Sequence, residues 1–127
     1  MIVGLGMDIA SIARIARSLE RYGPRFAERI LTPRELEELA GRHGDYPTAV
    51  AGRFAAKEAL SKALGGPRDV WWQSVEIRKG ALGAPEMHLS GPAQVHADRL
   101  GVTRCLVTIT HDAGVAAAVV VLEADRA

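Results

Sequence analysis

Glu58 and Lys62 stand one helical turn apart in the stretch Arg53-Phe-Ala-Ala-Lys-Glu-Ala-Leu-Ser-Lys-Ala-Leu-Gly65. An acid and a base at i and i+4 make either an ordinary exposed pair, worth roughly 0.2–0.5 kcal/mol, or half of an ionic site. Asp8 offers a second carboxylate, near the end of the apolar run Ile2-Val-Gly-Leu-Gly-Met-Asp-Ile9. Two carboxylates completed by waters and substrate phosphates are how proteins usually hold Mg²⁺, which dehydrates reluctantly. Lys62 would then stand beside the metal as a point charge for a phosphate. His111 follows a Thr-Ile-Thr strand end at a hairpin mouth, a place where loops present functional groups. Each residue also has a plainer reading: Asp8 as a helix cap, His111 as a structural histidine. Ser11 competes for the cap and leaves Asp8 free for other chemistry.

The elements that must position these groups follow from periodicity. Ile2 to Ile9 predicts a buried strand, with Gly4, Gly6 and Asp8 on one face and the glycines open to close backbone approach. Gly4-Leu-Gly6 is no dinucleotide fingerprint, because Ile9 occupies the third glycine's place. A long helix from about Thr48 to Leu64 is predicted by its helix formers and stopped by Gly65-Gly66-Pro67. On it Ala56, Leu60, Ala63 and Leu64 form the core arc, and Glu58, Ser61, Lys62 and Gly65 gather on the other side. Ser11 to Tyr22 predicts a first helix whose apolar face is Ile12, Ile15, Ala16, Leu19 and Tyr22. Its opposite face carries Arg14, Arg17 and Arg21, with Arg25 and Arg29 just beyond. Such a row is a solvated face or a docking surface for an acidic partner.

Thr32-Pro33-Arg34-Glu35 reads as a capping box opening a short helix to Ala40, followed by a polar loop with His43. Gly65, Gly66 and Arg68 suit the approach of an anion. Gln73–Arg78 and Glu86–Leu89 predict two short strands, and Ser90 caps a helix ending near Leu100. Arg104–Thr110 and Val115–Leu122 predict strands joined through His111-Asp112-Ala113-Gly114. Trp71 and Trp72 read as packing residues, with an adenine shelf as the alternative. The outline is a single α+β domain spanning 1–127, its helices packed on a mainly antiparallel sheet.

Composition narrows the field. Sixteen basic and 15 acidic residues nearly cancel, so net charge selects no partner and placement decides. The lone Cys105 excludes a disulfide framework, no apolar run suits a membrane helix, and the first residues lack the basic start of a signal peptide. A soluble, cytoplasmic protein is expected. Nucleic-acid binding fits poorly, because the arginine row has no interleaved aromatics and the chain no basic excess.

Four blocks resemble the small holo-acyl-carrier-protein synthase type of 4′-phosphopantetheinyl transferase. They are Met1-Ile-Val-Gly-Leu-Gly-Met-Asp-Ile, Arg25-Phe-Ala-Glu-Arg-Ile-Leu-Thr, Ala51-Gly-Arg-Phe-Ala-Ala-Lys-Glu-Ala-Leu-Ser-Lys-Ala-Leu-Gly and Val107-Thr-Ile-Thr-His-Asp. The resemblance implies transfer of 4′-phosphopantetheine from coenzyme A to a serine of an apo acyl carrier protein, in fatty-acid or polyketide synthesis. It implies Mg²⁺ on Asp8 and Glu58, and pyrophosphate contacts from Lys62 and His111. Arg53, Ser61 and Gly65 would line the rest of the coenzyme A pocket. The carrier would meet Arg14, Arg17, Arg21 and Arg25. A homotrimer with active sites between neighbouring chains is also implied. The alternative class is a non-catalytic carrier or coenzyme A binding module, which should have lost part of Asp8, Glu58, Lys62 or His111. Asp112, beside His111, either polarises the acceptor serine through a water or caps the turn.

Overall fold

The computed structural model describes residues 1–41, 45–66 and 70–126. His43 and the stretch 67–69, with the anion contact expected of Arg68, lie outside the described residues. The chain opens with β1 (Ile2–Ser11) and continues through α1 (Ile12–Tyr22), α2 (Pro24–Ile30), α3 (Pro33–Leu39) and α4 (Tyr46–Ala63). A short 3-10 turn, Trp72–Ser74, leads to the hairpin β2 (Val75–Lys79) and β3 (Pro85–Leu89). After α5 (Gly91–Arg99) comes a second hairpin, β4 (Val102–Asp112) and β5 (Val115–Ala124). β5 lies between β1 and β4 in an antiparallel sheet, and β2 pairs with β3 in a second one. This is the α+β architecture the periodicity predicts.

Local chemistry sets the boundaries. The Ser11 hydroxyl accepts from Arg14 N and caps α1, and Thr32 and Glu35 close the expected capping box at α3. Gly23, with φ of 61°, ends α1, and Pro24 starts a separate helix that the sequence reading did not foresee. α4 begins at Tyr46 rather than Thr48, because Pro47 fits its first turn. The expected four-residue loop at His111 is also shorter. Ala113 (φ 51°) and Gly114 (φ 81°) alone make the turn, so His111 and Asp112 belong to β4. Asp112 Oδ1 accepts from Ala113 N at 2.9 Å, which is the turn-capping role.

The core sits around α4, between the larger sheet on one side and α1 with the ends of α2 and α3 on the other. Ala56, Leu60, Ala63 and Leu64 are buried as expected, and so are Val50, Ala51, Ala55 and Ala59. The inner sheet face presents Gly4, Gly6, Asp8 and Ala10 of β1 alongside Leu122, Val120, Ala118 and Ala116 of β5. A methyl group added at Gly6 or Gly4 would strike the carbonyl oxygen of Ala59 or Ala63. The close backbone approach that the glycines allow is therefore that of α4 itself.

The outer sheet face is different. Its rows are Leu5–Val121–Leu106, Met7–Val119–Thr108 and Ile9–Ala117–Thr110. Leu5 is 67% exposed, Met7 53% and Ile9 58%, and no described element covers them. Tyr22, expected on the apolar side of α1, is exposed at its last residue with the Arg21 guanidinium 5.3 Å above the ring. Trp72 stacks on Phe54 at 5.1 Å and Trp71 meets His96 at 5.4 Å, both packed on the core. Burial pushes the Cys105 thiol up to about 11, so it is an inert packing group beside Met87.

Candidate active site

Three of the predicted residues meet beside edge strand β1. Lys62 Nζ donates to Asp8 Oδ1 and to the Met7 carbonyl, both at 3.0 Å. The pair is open: the Lys62 side chain is 53% exposed and that of Asp8 15%. Glu58, one turn before Lys62, has its carboxyl pushed above the ordinary range by burial and by the charge of Asp8, with Lys62 opposing. Two carboxylates thus face one gap and repel each other across it. Ser61 is half-buried on the same stripe of α4, and Gly65 is exposed just past the helix end.

Arg53 and His111 lie elsewhere. Five residues before Glu58, Arg53 points about 140° away around the helix. It joins His111 in a cavity of about 220 Å³ between the start of α4, the β2–β3 hairpin and edge strand β4. Arg78, Lys79, Gly83 and Pro85 line the same space, and Asp45 is its one acidic residue among the described residues. Asp8 and His111 stand on opposite edges of the three-stranded sheet, with β5 between them. One chain therefore carries an acidic half-site on the β1 edge and a basic cavity on the β4 edge. Periodicity could not show that separation, because strand order is not written in local spacing. It also gave no reason to single out Arg78 or Lys79.

Arg14, Arg17, Arg21, Arg25 and Arg29 are all exposed along α1 and α2. Arg14, Arg17 and Arg21 line one groove with Ser18 and Tyr22, and Arg21, Arg25 and Arg29 line another with Tyr22 and Phe26. Among the described residues the first groove has a single acid, Glu20.

Residues 4–120 match the family model of the 4′-phosphopantetheinyl transferase superfamily. The chain belongs to that superfamily. It is similar to the holo-[acyl-carrier-protein] synthase of Maridesulfovibrio salexigens, with 46% identity covering 97% of this chain and 99% of that protein. The corresponding synthase of Desulfovibrio desulfuricans is 48% identical, over 98% of this chain and 99% of its own. Among solved structures, the Neisseria meningitidis synthase superposes with a TM-score of 0.86 at 40% identity, covering 97% of this chain and 99% of its own. The Bacillus anthracis synthase, solved in complex with coenzyme A (3′,5′-ADP), gives 0.82 at 37% identity, over 98% of this chain and 99% of its own.

Within the phosphopantetheinyl transferase fold, one prominent ionic feature escaped the sequence reading. Lys57, beside Glu58, is fully buried and pairs with the equally buried Glu35 at 2.6 Å. Burial pushes its ammonium down, and the charge and hydrogen bond of Glu35 oppose that push. The signal was present: Lys57 lies about 20° beyond Leu64 on the helical wheel, at the edge of the core arc. Farther out, burial alone would raise the Glu76 carboxyl, but hydrogen bonds from Thr32 and Arg78 hold it below its ordinary value.

The donor set on the β1 edge suits a hard divalent cation. Asp8 and Glu58 supply two mutually repelling oxygen ligands that such an ion would reconcile. Among the described residues no third His, Cys, Asp or Glu joins them. The remaining ligands would come from water and substrate, as Mg²⁺ prefers.

Proposed function

We propose that this protein transfers 4′-phosphopantetheine from coenzyme A to a serine of an apo acyl carrier protein, releasing adenosine 3′,5′-bisphosphate. The observation that carries this reading is the convergence of Asp8, Glu58 and Lys62 on one open gap, in a chain about half identical to named synthases. Asp8 and Glu58 hold Mg²⁺, which when bound supplies positive charge to the pyrophosphate. Lys62 leaves Asp8 for a pyrophosphate oxygen, an exchange its exposure permits. Ser61 and Gly65 line the adjoining wall. Little covalent work falls to the protein in phosphoryl transfer, which asks for positioning and charge neutralisation.

The basic cavity receives the nucleotide end of coenzyme A, with Arg53 and His111 toward its phosphates and Lys79 beside them. Because the two half-sites occupy opposite sheet edges, the complete site forms between neighbouring copies in a homotrimer. The exposed Leu5, Met7 and Ile9 face supports that assembly, being the kind of apolar patch monomers seldom leave bare. Arg14, Arg17, Arg21 and Arg25 dock the acidic carrier, and the whole chain acts as one transferase domain in the cytoplasm. Among the described residues no helix is long and apolar enough to cross a membrane. The carrier belongs to fatty-acid or polyketide synthesis.

The test is direct: incubate the protein with coenzyme A, Mg²⁺ and candidate apo carriers, then weigh each carrier by mass spectrometry. A gain of one phosphopantetheine on a carrier is the expected result. Unchanged masses for every carrier overturn the reading.

A further inference from the structure

Helix α4 packs on β1 through small residues. Gly4 and Gly6 meet the backbone at Ala59 and Ala63, so this seam is backbone against backbone. Close approach is secured there, with no side chain at Gly4 or Gly6 to key the rotation of α4. Where Glu58 and Lys62 point depends on contacts elsewhere on α4.

Lys57 is placed to fix that direction. Adjacent residues on a helix diverge by about 100°, so Glu58 turns to the open gap while Lys57 enters the interior. Its Nζ donates to the Ile30 carbonyl at 2.8 Å, to Glu35 Oε1 at 2.6 Å and to the Trp72 carbonyl at 2.8 Å. All three ammonium protons are used. Glu35 is equally committed: Oε1 also accepts from Thr32 N at 2.8 Å, and Oε2 accepts from Ile77 N at 2.9 Å. One ammonium thus ties α4 to the end of α2, to α3, to the turn before β2 and, through Glu35, to β2 itself.

Stability alone is a weak explanation of this arrangement, because well-packed apolar side chains often replace a buried ion pair at no loss. What an apolar replacement lacks is directed hydrogen bonds to fixed partners. We infer that Lys57, held by Glu35, is a positioning residue for the transfer reaction, pinning α4 so that Glu58 and Lys62 face Asp8. The inference rests on the proposed transferase reading. It also links the two working surfaces, since the α2 end bound by Lys57 follows Arg25 and Arg29.

The deciding variant is Lys57→Met combined with Glu35→Gln, which removes both charges together and keeps side-chain volume. Three quantities are measured on it: the melting temperature, kcat with the KM for coenzyme A, and Mn²⁺ affinity by electron paramagnetic resonance. Lys57→Met alone strands a buried carboxylate and should melt far lower than the parent. The double variant should recover much of that melting temperature while its kcat stays down about a hundredfold, the loss that a shift of about 1 Å produces. Its KM for coenzyme A should change less than threefold and its Mn²⁺ binding should weaken about tenfold. A folded double variant with parental kcat and parental Mn²⁺ affinity overturns the inference. If Lys57→Met variants do not fold, Glu35→Gln decides: it takes the counter-charge from the ammonium and turns an amide NH₂ toward a backbone N–H that the carboxylate accepted, and parental kcat and Mn²⁺ affinity there would be equally fatal. A parent that modifies no carrier would instead refute the transferase reading, and the Mn²⁺ titrations would still judge Lys57.

Discussion

Lys57 and Lys62 sit five residues apart on one helix, each paired with a carboxylate, and behave as opposites. The Lys57–Glu35 pair is closed to solvent on both sides, with every donor and acceptor taken. The Lys62–Asp8 pair is open, and Lys62 is more than half exposed. Burial turns an ion pair into a fixed strut, because no water or counter-ion replaces a lost partner. Exposure makes the same contact cheap to exchange. The helix thus has a rigid back and a negotiable front, and the front is where a cation and a phosphate must enter.

The largest effect should come from neutralising the front carboxylates. Asp8→Asn and Glu58→Gln should each abolish turnover while circular dichroism and melting remain native-like, since an amide keeps the volume but loses the charge that holds a hard cation. Near-parental activity of either variant at saturating Mg²⁺ would remove that residue from the metal site.

The two lysines should then separate cleanly on stability. Lys57→Ala should cost about 3–5 kcal/mol in denaturant unfolding, the usual result of breaking a buried pair. Lys62→Ala should cost less than about 1 kcal/mol, yet weaken coenzyme A binding by roughly 1.5–3 kcal/mol through the lost phosphate contact. Calorimetry with an adenosine ligand lacking the pyrophosphate should show almost no change for Lys62→Ala. Equal losses for both ligands would make Lys62 structural, and the contrast between front and back would collapse.

Arg14→Glu should raise the KM for the carrier and leave that for coenzyme A nearly unchanged. Opposed surface charges mainly set association rate and register, screened over about 8 Å at physiological ionic strength. The parental carrier KM should climb with salt, and the variant's less steeply. A parental carrier KM in the variant would reduce the arginine row to a solvated face.

The smallest expected effect concerns pH. Glu58 is raised in the folded protein, first by burial and then by Asp8, so its favourable contribution exists at low pH and disappears as pH climbs through the raised value. Metal-free parent therefore carries a penalty at neutral pH that Glu58→Gln lacks. Melting curves in chelator should place the variant slightly above the parent at neutral pH, with the gap closing on acidification. A parent that melts higher at neutral pH contradicts the crowding of the two carboxylates.

Much of this was legible in the chain. The spacing of Gly4, Gly6 and Asp8 foretold a strand face awaiting a close neighbour, and the wheel positions of Glu58, Ser61 and Lys62 foretold the open stripe. The caps at Ser11 and Thr32 marked real helix starts, because capping is a local hydrogen bond. Lys57 was not recognised because lysine is read as a solvent-facing residue unless its partner is known, and Glu35 already had a use in the capping box. α2 was missed because its seven residues are too short to show a period. The separation of Arg53 and His111 from Asp8 depends on strand order, a long-range property.

The two glycines of β1 have a mechanical consequence. They act as a gauge: the absent methyl groups at Gly4 and Gly6 set how deeply an 18-residue helix seats on the strand. Asp8 is built on the strand and Glu58 on the helix, so the width of the jaw between them is machined by two missing carbon atoms. A single Gly6→Ala shim would lift one jaw from the other, and the opening would then be wrong for its ion although every side chain that touches the ion was still in place.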